Sequence, residues 1–270
     1  MTDLETIADR HDLGPHVATL DAYRSGAAGT IAAATVLTAA VSVPLGFLAE
    51  YLWGVAPWSA VLPAAVIALT VYGFGRWAFR TIRDDQTRLH LYENGVVVQR
   101  RSAVSAFPAH DTALYSHTRE HQGRKEKYDL HQCVLRRGDG TAAVLGMSSS
   151  LHIRLRGEDL VPKGSLTASV EFREFDEWVP AIEKALGDSR LPALEEAFDQ
   201  GESLEFGPLS VSRDRVRGDV ESFSREEVDR VSVDDDTVRA VIGDESRDLT
   251  DTAAPLIPDL YLFLRFAARQ

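Results

Sequence analysis

The sequence predicts a transmembrane helical hairpin followed by two α+β units, each a twisted antiparallel sheet closed by a C-terminal helix. Three observations carry this reading. Two long charge-free stretches lie near the amino end, alternating apolar and polar residues broken by Gly-containing turns follow them, and an amphipathic helical pattern closes each of two successive segments. The hydrophobic share of 44% in 270 residues is ordinary for a globular chain, so the signal lies in its segregation and not in its average.

The helices come first. Between Arg24 and Glu50 lie 25 residues without a charge, and between Glu50 and Arg76 lie another 25. A hydrocarbon core about 30 Å thick needs roughly 20 apolar residues, so Gly26–Ala49 and Pro57–Phe79 are each long enough to span. The turn between them is short, which makes the spans antiparallel. Pro44 and Pro63 are expected to kink the helices without breaking them, because neighbouring groups in a bundle re-satisfy the freed carbonyls. A buried soluble hairpin is the competing reading, and both uncharged runs exceed its usual length. A secretory signal does not fit, because the chain before Gly26 is net acidic.

Orientation follows from the arginines. Arg76, Arg80, Arg83 and Arg88 follow the second span and Arg24 precedes the first, while the turn offers only Glu50. The positive-inside rule then places both termini in the cytoplasm, giving a two-pass protein of the inner (plasma) membrane. Tyr51, Trp53 and Trp58 fall at the outer interface, and Tyr72 and Trp77 at the inner one, where amphipathic rings accumulate.

Charge divides the remainder. Residues 1–25 carry a net charge of −3, residues 26–79 carry 0, residues 80–187 carry +1 and residues 188–270 carry −10. The expected organisation is an N-terminal cytoplasmic segment (1–24), the hairpin (25–79), a nearly neutral domain (80–187) and an acidic one (188–270). The single cysteine, Cys133, excludes an intrachain disulfide.

In the neutral domain, RLHLYENGVVVQRR alternates about Asn94-Gly95, a pair that tolerates positive φ and suits a tight hairpin. YDLHQCVLRR and TAAVLGM flank Gly138-Asp139-Gly140, and LHIRLRG adds a further strand. Phe172, Phe175, Trp178, Val179, Ile182 and Leu186 then share one helical face, with Gly187 placed to end it. The acidic domain repeats the plan. A short helix at LPALEEAFD precedes strands at ESLEFGPLSVS and DRVRG, a hairpin through VDRVSVDDDTVRAVIG, and a closing helix at LIPDLYLFLRFAA. An amphipathic helix laid over the open end of a twisted sheet is the pleckstrin-homology-like (PH-like) arrangement.

RLHLYENGVVVQRR directly after a hairpin, the N-terminal LGPHVATLDAYR, the linker GESLEFGPLSVS and the closing IPDLYLFLRFA resemble a bacterial family of uncharacterised membrane proteins with PH-like cytoplasmic domains. The resemblance implies architecture. It supplies no activity, since its motifs are turns and helix starts.

Chemistry is sparse. The chain has no Gly-rich phosphate loop, no G-x-S-x-G elbow, no H-E-x-x-H and no C-x-x-C. No enzyme activity and no cofactor are expected. The alternative is a metal-dependent enzyme using His110, His117, His121, His131 and Cys133, residue types that zinc prefers. His117 and His121 share a face if that segment is helical, and His131 and Cys133 share a face of a strand, but the segment reads as strand and loop, where His and Cys alternating with Leu ordinarily mark a half-buried sheet face. Asp234-Asp235-Asp236 reads as a solvated hairpin tip, lacking the Gly and distal Glu of a calcium loop. The acidic domain repels phosphate, which disfavours nucleic acid as a partner. Arg119, Arg124, Lys125 and Lys127 form a polar loop able to touch an anionic leaflet, diluted by Glu120, Glu126 and Asp129. A transport accessory is disfavoured because the spans contain no internal ionisable pathway. The expected function is a membrane-anchored interaction or scaffolding module, with the bilayer and a protein partner or a second copy as its contacts.

Overall fold

The structure is a computed structural model describing residues 4–22, 27–55, 61–84, 87–122, 127–146, 161–162, 164–168, 172 and 177–269. It divides into two units, residues 22–86 and a larger one built from 1–21 together with 87–270. The chain opens in the larger unit with helix α1 (Leu4–Arg10) and strand β1 (His16–Asp21).

The smaller unit holds α2 (Ala27–Val55) and α3 (Val61–Asp84), which pack against each other. Within α2 the 19 residues Val36–Gly54 are long and apolar enough to cross a membrane, and none of that stretch is buried inside the fold. Phe47, Tyr51 and Trp53 on α2, and Leu69 and Tyr72 on α3, are 64–70% exposed. α3 is less apolar for an identifiable reason. From Val61 only 15 helical residues precede Arg76, about 22 Å of rise. Pro44 lies inside α2, as expected. Pro63 instead sits in the first turn of α3, where its missing N–H has no intrahelical acceptor to lose, so it is not a kink site.

The first half of the larger unit is built from two sheets and a helix. β1, β2 (Thr87–Tyr92), β3 (Gly95–Arg100) and β4 (Ala103–Pro108) form an antiparallel sheet in chain order. A short 3-10 turn at Ala109–Asp111 leads to β5 (Thr112–Gln122), β6 (Lys127–Arg137) and β7 (Ala142–Gly146), to which β8 (Leu166–Ala168) adds in parallel. Helix α4 (Trp178–Gly187) packs on β2, β3, β5 and β6. It buries Trp178, Val179, Ile182 and Leu186. Facing residues such as Leu89, Val98, Leu114 and Leu135 are fully enclosed, each contributing about 1.5–3 kcal/mol by burial.

The second half repeats this order. Helix α5 (Leu191–Asp199) precedes a sheet of β9 (Leu204–Phe206), β10 (Leu209–Val211), β11 (Arg215–Arg217) and β12 (Ser222–Ser224). A second sheet of β13 (Arg230–Asp234), β14 (Thr237–Ile242) and β15 (Glu245–Asp248) follows, and α6 (Leu260–Ala267) closes the core. Aromatic pairs pin that core, with Phe198–Phe266 centroids at 5.3 Å and Phe206–Phe263 at 6.0 Å.

One buried polar knot joins the halves. Asp259, in the left-handed region at φ 51°, accepts hydrogen bonds from the Leu114 N–H at 3.1 Å and from Arg190 Nη1 at 2.9 Å. The Asp259 N–H donates in turn to the Leu114 carbonyl at 2.8 Å.

Several expectations are revised. Residues 4–21 belong with the larger unit. Their strand pairs with β2, Leu20 opposite Leu89 and Asp21 opposite Arg88, so the sequence of α2 and α3 is inserted between two neighbouring strands. The helix expected to use Phe172 and Phe175 begins only at Trp178, and Phe172 reaches that ring from outside it, at 5.2 Å between centroids. His117 and His121 lie on a strand, which removes the helical-turn option and agrees with the reading of that segment as strand and loop. LHIRLRG and Phe175 fall outside the described residues.

Candidate functional site: a groove between strand β1 and helix α4

Strand β1 is fixed from its N-terminal side. The Leu13 carbonyl accepts the Asn94 N–H at 2.9 Å and the Pro15 carbonyl accepts the Glu93 N–H at 3.1 Å, clamping the chain over the β2–β3 turn. That turn requires glycine. A Cβ on Gly95 would lie 2.5 Å from the Phe107 carbonyl oxygen and 2.9 Å from the buried Leu13 side chain.

Along the sheet surface a polar chain ties β1 to β2 and β3. His16 Nε2 lies 2.9 Å from Thr19 Oγ1, which lies 2.9 Å from His90 Nδ1, and His90 Nε2 lies 3.1 Å from Gln99 Oε1. One tautomer satisfies all three contacts. His90 Nε2–H donates to Gln99, the Thr19 hydroxyl donates to His90 Nδ1, and His16 Nε2–H donates to Thr19. Burial lowers the His90 pKa below its ordinary value, in keeping with that neutral ring.

Among the described residues, β1 is the edge of its sheet. From His16 to Leu20 it contains no Asp, Glu, Lys or Arg, and its register shifts between His16 and Ala18. The edge strands β13 and β15 differ, carrying Arg230, Asp234, Glu245, Arg247 and Asp248, charges of the kind that discourage pairing with another chain. Opposite β1, helix α4 turns its unburied side toward the strand and leaves a groove of about 780 Å³. The floor is apolar, formed by Leu20, Leu91, Ala181 and Ala185. Its rim carries Glu93, Glu177 and Asp188 against the single cation Lys184. All four rim charges are exposed. An unpaired strand edge beside an apolar trough provides backbone hydrogen bonds for an extended chain and a place for its alternate side chains.

The other sequence-predicted residues are dispersed. β5 and β6 pair His117 with Gln132 and Thr118 with His131, so positions 117 and 121 share one face of the ladder while 131 and 133 share the other. The four weak metal candidates are therefore divided by their own sheet. His131 Nδ1 lies 3.0 Å from Thr118 Oγ1, its ring meets Trp178 edge-on at 6.4 Å, and Cys133 is fully buried. His110 is exposed in the 3-10 turn. Among the described residues, no three His, Cys, Asp or Glu side chains are grouped so as to hold a metal. Asp235 and Asp236 occupy the left-handed region at the β13–β14 turn, and Asp234 pairs with Arg239 at 2.7 Å. Arg119 and Lys127 lie on β5 and β6, whereas Arg124, Lys125 and Trp58 fall outside the described residues. Arg76, Trp77, Arg80 and Arg83 lie along α3, and Trp53 is exposed near the end of α2.

Sequence reasoning missed Glu183. It lies on the α4 side that meets β5, where the Ser116 hydroxyl donates to it at 3.4 Å, and burial raises its pKa from 4.5 to about 7. A lone Glu between Ile182 and Lys184 gives no signal of this in one dimension.

No curated protein and no solved structure matches the chain. Residues 163–269, running from before β8 through α4 and the whole second half, match a domain described as a family of unknown function (DUF6585).

Proposed function

We propose that the chain is a membrane-anchored interaction module, in which α2 and α3 span the bilayer as a hairpin and the β1–α4 groove receives an extended segment of a protein partner on the cytoplasmic side. The single observation that carries this reading is the edge of β1, without Asp, Glu, Lys or Arg from His16 to Leu20, lying beside an apolar trough. Membrane anchoring is supported by the exposed apolar and aromatic side chains of both helices, which water would leave bare. The inward orientation rests on Arg76, Arg80 and Arg83 after the second helix. Twofold repetition of a four-strand sheet, a three-strand sheet and a closing helix supports the reading of two PH-like domains, with β8 and the leading helices as additions.

The test uses full-length protein in intact cells. It is expected in the membrane pellet after detergent-free lysis, with a photo-crosslinker at Ala181 giving adducts that map to one contiguous partner peptide. The same crosslinker at Asp244, on the β14–β15 turn, is expected to give none of them. Recovery in the supernatant refutes the anchor, and identical adducts from both positions refute the groove.

A further inference from the structure

Resting on that reading of the groove, we infer that its occupant is a basic segment: an extended stretch of a partner protein carrying Lys or Arg at alternate positions, of the kind found where membrane proteins enter the cytoplasm.

Two observations narrow the occupant. The rim places carboxylates at the β2–β3 turn (Glu93) and at both ends of α4 (Glu177 and Asp188), so the trough is acidic along its length and Lys184 offsets only one of three charges. An extended chain projects alternate side chains to opposite sides, so apolar residues can enter the trough while the long stems of the Lys or Arg residues between them bend back to the rim carboxylates. An acidic or phosphorylated segment meets the opposite field, strengthened by a chain whose net charge is −12.

The second observation is the tether. Only five residues, 22–26, separate the end of β1 from the start of α2, a linker reaching about 20 Å when fully extended. With α2 in a bilayer, the chain that carries β1 is confined to the cytoplasmic surface. The Lys- and Arg-rich segments flanking other transmembrane helices are concentrated there. Surface-bound tethering also raises the local concentration of one membrane protein for another, so modest affinity suffices.

The experiment places full-length protein in phosphatidylcholine nanodiscs and titrates it into three fluorescent nonapeptides, alternating Val with Lys, with Thr or with Glu. The Val–Lys peptide is expected to bind about tenfold more tightly than Val–Thr and the Val–Glu peptide most weakly, exposed ion pairs being individually weak but three in number. Two triple variants separate the groove from the overall charge. Glu93→Lys, Glu177→Lys and Asp188→Lys together are expected to invert the order. Glu202→Lys, Asp219→Lys and Asp244→Lys, all exposed and away from the groove, are expected to preserve it. Equal weakening by both variants overturns the inference, because the attraction is then that of the whole chain. Equal binding of Val–Lys and Val–Thr overturns the basic preference and leaves the groove reading standing. If no peptide binds, both fall.

Discussion

Replacing Glu183 by Gln tests the packing between α4 and β5. The side chain is largely buried, its one hydrogen bond comes from Ser116 at 3.4 Å, and its pKa is raised from 4.5 to about 7, with desolvation as the cause. The folded state therefore holds the proton more tightly than the unfolded chain does. The sign follows from linkage. The stabilisation associated with the neutral carboxyl is fully present below pH 4.5 and is lost as pH rises through about 7. A shift of that size corresponds to about 3 kcal/mol at about 1.4 kcal/mol per pH unit. Glutamine, neutral at every pH and similar in shape, retains the packing without the titration. Urea unfolding of full-length protein in neutral detergent, followed by tryptophan fluorescence between pH 4 and pH 9, measures the difference. The variant is expected to match the wild type near pH 4 and to exceed it by about 3 kcal/mol near pH 9. Parallel profiles, separated by a constant, would falsify the assignment of a buried carboxyl.

The remaining predictions use the same preparation. Asp259→Ala removes the acceptor shared by Arg190 and the Leu114 N–H, and is expected to cost about 3 kcal/mol and to make the two halves unfold separately in calorimetry. Asp259→Asn, which tolerates the left-handed backbone, is expected to lose less. Gly95→Ala forces a Cβ toward the Phe107 carbonyl and Leu13, so a loss of at least about 2 kcal/mol is expected together with faster amide exchange in β1. His90 has a lowered pKa in the fold, so its stabilisation is fully present above pH 6.5 and is lost as pH falls below that value. Amide exchange in β1 should accelerate from pH 7 to pH 5 after correction for intrinsic rates, and His90→Asn should remove that dependence.

Legibility in the sequence followed contact distance. Hairpins closed by Asn94-Gly95 and by Gly138-Asp139-Gly140 were readable because turn residues and alternation lie side by side. The face of α4 was readable from its periodicity, though Pro180 in its first turn marks a later start than Phe172 suggested. β1 was missed because its partner is remote, His16 pairing with Tyr92 across both long helices. β5 was legible only as strand or loop, because TALYSHTREHQ has few apolar residues to mark a buried face along its length. The groove had no linear signature at all. Its lining comes from residues 17–20, 91–94 and 177–189, and only the absence of charge in His16–Leu20 hinted that this edge is open.

The insertion of α2 and α3 between β1 and β2 has a consequence for biogenesis. As the polypeptide leaves the ribosome, the first strand must wait unpaired until position 92 has been made, so both long helices are synthesised before the sheet can begin to zip. Once Asp21 and Arg88 meet, at 3.0 Å, the ladder acts as a clasp across the base of the inserted segment. A pull on the chain at either end of the insertion would then load the Asp21–Arg88 rung first.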